Sequence, residues 1–147
     1  MIPRSRVAVL PVRAHRLECG MPATGLILYV HGARDPRWAE PFTRLRDRIA
    51  QREPALPIAV AFLEHMSPDL AQAAVDVAAR GAERIRVVPM FFGRGGHLRE
   101  DLPRQIEAAR ALVPGVPLEV TEAAGESDAV QEALASFALD GIQGTSR

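Results

Sequence analysis

Lysine is missing from this chain: all 18 of its basic residues are arginine. A GC-rich coding sequence accounts for that bias more simply than function does. Cysteine is nearly missing too, since Cys19 stands alone and so excludes an internal disulfide and a Cys-rich metal site. Net charge is absent, 18 acidic residues balancing the 18 basic ones, so no global field points to nucleic acid or an anionic membrane. No apolar run approaches the ~18 residues that a transmembrane helix needs. Neither GxGxxG nor GxxxxGK[ST] occurs, which leaves a nucleotide site weakly supported.

What is present is the balance of an ordinary globular protein, 48% apolar and 24% charged over 147 residues. That length suits one domain with its own core. Residues 1–24 are poorly patterned, with Pro11 and Arg13 interrupting the apolar patch RVAVLPV before it reaches signal-peptide length. His15 and Cys19 read as tail residues, and Met21 offers an alternative start. The domain proper is expected over 25–140, with 141–147 as a fraying tail, and a cytoplasmic location is expected.

From Gly25 onward, short apolar runs alternate with helical patterns. The strands are expected at 26–30, 58–63, 84–92 and 117–120. The first three are almost continuously apolar, as in strands buried on both faces of a parallel sheet. Asp35-Pro36 and Ser67-Pro68 each offer an N-cap followed by proline, Asp101 offers a third, and Pro41 moves the first helix start toward Glu40. Apolar residues recur at helical spacing in each interval, ending with Val130, Leu134 and Phe137. Gly81 sits where a left-handed helix stop belongs. The alternation predicts an α/β domain: one four-stranded parallel sheet, flavodoxin-like in its strand order 2-1-3-4, with helices on both faces.

In such a sheet, ligands bind beyond the carboxyl ends of the strands, where the strand order reverses. His31 ends the first strand, Glu64 the second, and His97 follows the third after FFGRGG. Two imidazoles and a carboxylate at one sheet edge suit a first-row divalent metal such as cobalt, iron or nickel. Each has a plain structural alternative: a hydrogen-bonded histidine, or a capping or solvated glutamate. It is their joint placement that favours the metal. His65 is expected to point away from Glu64 if its strand continues.

Gly93, Gly95 and Gly96 have two readings, a cradle of backbone N–H groups for phosphate or a close approach to a flat, bulky ligand. The second is preferred, with Arg94 pairing a ligand carboxylate. An α/β-hydrolase would need a G-x-S-x-G elbow and a histidine phosphatase an Arg-His-Gly nucleophile, and neither occurs.

The stretches LILYVHGARDPRWAEPF, AFLEHMSPDL and RVVPMFFGRGGHLREDLP resemble the small CbiX-type sirohydrochlorin chelatases, relatives of SirB and ferrochelatase. The likeness runs from about Gly25 to Phe137, with Ala33 where serine is common. It implies a chelatase-like fold and insertion of cobalt(II) or iron(II) into sirohydrochlorin, in cobalamin or sirohaem synthesis, without nucleotide hydrolysis. It implies that His31 is proton acceptor and metal ligand, His97 the second histidine ligand and Glu64 an acidic ligand. Met66, Phe92, Gly93, Arg94, Gly95 and Gly96 would meet the macrocycle, with Arg34 and Arg99 as further partners for its carboxylates. No resident cofactor is implied, because the divalent metal is a substrate, and a single-domain chain is expected to form a homodimer. Using the same ligands, a non-catalytic metal or tetrapyrrole carrier is the alternative.

Overall fold

The computed structural model describes residues 21–93 and 95–142, without the side chains of residues 96–98. Arg94, the side chain of His97, and residues 1–20 (with His15 and Cys19) lie outside the described set, as do residues 143–147.

The chain order is β1 (Thr24–Val30), α1 (Glu40–Arg52), β2 (Ile58–Phe62), α2 (Leu70–Ala79), β3 (Arg84–Pro89), α3 (Gly96–Leu112), β4 (Leu118–Val120) and α4 (Asp128–Leu139). The four strands form one parallel sheet in the order β2-β1-β3-β4. This is the expected α/β architecture, with its order reversing between β1 and β3.

Alternation along the strands builds two cores. Ile27, Tyr29, Ala61, Ile85 and Val87 turn to one face, where they meet α2 through Leu70, Ala73, Ala74 and Val77, and α3 through Ala109. Leu28, Val30, Val60 and Phe62 turn to the other, where α1 and the turn before it supply Trp38, Phe42, Leu45 and Ile49. Among the described residues no helix is long and apolar enough to cross a membrane.

Local signals explain the boundaries, and several differ from expectation. Asp35 caps only a short 3-10 turn, Pro36–Ala39, by accepting the Arg37 N–H at 2.9 Å; the α-helix follows at Glu40, as Pro41 requires. The cap of α2 is Asp69 rather than Ser67. Its carboxylate accepts the Gln72 N–H while the Gln72 side chain accepts the Asp69 N–H, a reciprocal box that Ser67, two residues earlier, does not form. Asp101 is no cap at all: α3 begins at Gly96 behind Gly95, which has no side chain to cap it, and runs through Pro103. His97 therefore stands in the first turn of a helix, not at the end of a loop. The strands β2 and β3 stop short of the expected 63 and 92, because the chain bends into loops at the crevice. Finally, the pattern of Val130, Leu134 and Phe137 does form a helix, but α4 buries none of its residues.

Candidate functional site

The site is built where β1, β2 and β3 end. Backbone bonds cross-link the three loops: Leu63 N–H donates to Val30 O at 2.8 Å, Glu64 N–H to His31 O at 3.0 Å, and Met90 N–H to Tyr29 O at 2.8 Å. His31 and Glu64 are thus neighbours through their main chains.

Gly32 makes that approach feasible. Its φ is +88°, a region open to glycine, and a Cβ there would overlap the Glu64 carbonyl. The His-Gly pair is therefore one unit, since glycine lets the loop after β1 lie against the loop after β2.

Beneath His31 is an aromatic floor. The imidazole lies on Phe91, with centroids 4.3 Å apart and planes tilted by 45°, and Phe91 meets Tyr29 edge-on at 5.8 Å. Both floor rings are buried. The Tyr29 hydroxyl donates to Gln105 Oε1 at 2.7 Å, and Gln105 Nε2 donates to Leu63 O at 3.0 Å, which ties α3 to the end of β2. Burial, then the negative charges of Asp101 and Asp69, push the Tyr29 hydroxyl pKa above its ordinary value. Tyr29, Phe91 and Gln105 escape sequence reading, because only the sheet register brings them together.

Glu64 and His65 lie beyond the end of β2, since the strand stops at Phe62. His65 adopts a left-handed conformation, φ 62°, that returns its Nε2 to 3.7 Å from Glu64 Oε2. The expected outward orientation depended on a continuing strand, and the strand does not continue. Both side chains are largely open to solvent, and Met66 packs partly into the α1-side core.

The loop after β3 carries Phe92, which is 72% exposed, and then Gly93 and Gly95. A Cβ at Gly93 or Gly95 would meet nothing within 4 Å, and neither has positive φ. The fold of the described residues therefore does not require glycine at either position. Below the loop, Gly125 packs so closely that a Cβ would overlap the Phe92 backbone, and its N–H donates to Phe91 O at 2.8 Å.

Arg34 and Arg99 are exposed and have no ion-pair partner among the described residues. No group of three His, Cys, Asp or Glu residues able to hold a metal occurs among the described residues, which do not include the side chain of His97. A concavity of about 660 Å³ lies along α3 and β4, and neither His31 nor Glu64 lines it.

The CbiX family model matches residues 25–139 of this chain. A sirohydrochlorin cobaltochelatase of Sulfurisphaera tokodaii is 27% identical over 110 residues, 75% of this chain and 87% of that protein. One from Methanothermobacter thermautotrophicus is 35% identical over 82 residues, but the match spans 56% of this chain and only 57% of that relative. Among solved structures, a cobalamin (vitamin B12) biosynthesis CbiX protein from Marinobacter aquaeolei VT8 superposes with TM-score 0.70 at 29% identity, over 82% of this chain and 98% of that one. SirB from Bacillus subtilis with Fe3+ shares the fold, with TM-score 0.67 at 20% identity over 80% of this chain and 46% of that one.

Proposed function

The chain belongs to the CbiX family, and we propose that it is a chelatase that inserts a divalent metal, cobalt or iron, into sirohydrochlorin. The observation that carries this reading is His31 at the end of β1, seated on Phe91 and joined through its backbone to Glu64.

The chemistry asks for two things. A free tetrapyrrole holds two pyrrolic N–H protons that must leave as the metal enters. Imidazole is a base suited to neutral pH, and His31 is assigned that role. The metal must also be held by few, exchangeable ligands so that it can be passed on. His31, Glu64 and His97 are assigned to it as an open set rather than a closed cage.

Gly93, Gly95 and Gly96, with exposed Phe92 and nearby Met66, are assigned to the macrocycle. Support comes from Gly93 and Gly95, where a Cβ would meet none of the described residues within 4 Å. Arg34, Arg94 and Arg99 are assigned to the ring's carboxylates. The active form is read as a cytoplasmic homodimer without a resident cofactor.

The test is anaerobic turnover. Many equivalents of metallated product per chain, above the protein-free rate, support the chelatase. Stoichiometric metal or ring binding without product would instead mark a carrier.

A further inference from the structure

Helix α4 presents an apolar stripe that the described residues of its own chain leave largely uncovered. Val130, Leu134 and Phe137 recur at i, i+4 and i+7 and so share one face. Yet Phe137 is 80% exposed and Leu134 37%. The helix packs chiefly on the short turn before it, Ala124–Glu126.

The same chain carries a gap of matching character. On the α1 side of the sheet, no helix among the described residues packs over β3 and β4, and a groove of about 370 Å³ lies there. Leu28, Val88 and Met90 form its floor, and Leu45 and Ile49 of α1 form its wall. Ser127 and Val130 stand at its edge, so α4 starts beside the groove and then leaves it.

Length and charge both fit a helix of this kind. The 12 residues of α4 span about 18 Å, close to the roughly 20 Å of the six-residue strand β3. α1 carries Arg44, Arg46, Arg48 and Arg52 against Glu40 and Asp47, and α4 carries Asp128 and Glu132 with no basic residue. Arg44, Arg48 and Arg52, at i, i+4 and i+8, have no ion-pair partner among the described residues. A helix like α4 laid beside α1 meets opposite charge.

We propose that the groove over β3 and β4 receives helix α4 of a second copy of this chain, and that the exchange is reciprocal. This rests on the homodimer reading above and names its seam. Each chain offers one groove and one helix, so a two-fold axis satisfies both and closes the assembly at two copies.

The full chain is examined by size exclusion with light scattering over a dilution series. The wild type runs as a dimer. A Leu134→Asp, Phe137→Asp double variant runs as a monomer with an unchanged circular dichroism spectrum, its dissociation constant raised about 100-fold or more. Both side chains are exposed in the single chain, so its own fold does not need them.

A second experiment replaces Phe137 with the photocrosslinker benzoylphenylalanine and mixes nitrogen-14 and nitrogen-15 chains. Crosslinks joining unlike isotopes, and mapping to residues 45–52 or 88–90, support the seam. A monomeric wild type, a dimer indifferent to the double substitution, or crosslinks within one chain or to another surface overturn it. A monomeric wild type that still inserts metal defeats this seam and leaves the chelatase standing; an inactive dimer with these crosslinks does the reverse.

Discussion

The imidazole of His31 rests on the buried ring of Phe91, 4.3 Å between centroids, and Phe91 is in turn set edge-on against Tyr29. The imidazole that follows β1 is thereby seated on a buried aromatic pair, while His31 itself stays partly exposed.

Phe91 should therefore matter twice. Phe91→Ala removes a core ring and should cost about 3–5 kcal/mol in urea unfolding. Phe91→Leu keeps most of the volume, folds, and loses the flat seat. Metallation by that variant should fall about 10- to 100-fold, mainly in kcat. A Phe91→Leu enzyme with wild-type turnover would show that the seat is only packing.

The two kinds of glycine should separate cleanly. Gly32→Ala meets both a positive φ and the Glu64 carbonyl, and should lose on the order of 1–3 kcal/mol of stability. Gly93→Ala faces open space and should stay within about 0.5 kcal/mol of wild type. It should nevertheless weaken sirohydrochlorin binding, read as a rise in KM. Chemical denaturation beside steady-state kinetics checks both.

Tyr29, the single tyrosine, gives a pH prediction. Burial and the nearby aspartates keep it protonated in the folded chain past its ordinary pKa of 10.0, whereas the unfolded chain releases that proton near 10. The contribution to stability is complete below that point, and stability falls as pH rises above it. Absorbance at 295 nm should show tyrosinate appearing only together with the loss of far-UV dichroism. A reversible titration near pH 10 in a folded chain would contradict the buried hydroxyl.

How much of this was legible follows from which signals are local. The apolar runs before His31, Glu64 and the glycine loop predict buried parallel strands, and the topology then places their ends along one edge. The start of α3 is not legible: Gly95 has no side chain to betray a cap, while Asp101 followed by Leu102-Pro103 imitates one. Tyr29 and Phe91 are 62 positions apart in the sequence, and only the pairing of Tyr29 with Pro89 brings them together. His65 meets Glu64 because β2 ends early in a left-handed turn, which an apolar run ending in Leu63 does not announce. The stripe on α4 is plain in the sequence, but the sequence does not reveal that the described residues leave it exposed.

The central claim is that His31 and His97 carry metal insertion. The most direct measurement is the anaerobic conversion of sirohydrochlorin with cobalt(II) or iron(II) by the wild type, His31→Ala and His97→Ala, followed by absorbance. The account predicts multiple turnovers by the wild type and a fall to the protein-free rate in both variants, each still folded by circular dichroism. Wild-type turnover in His31→Ala, or none in the wild type, would contradict it.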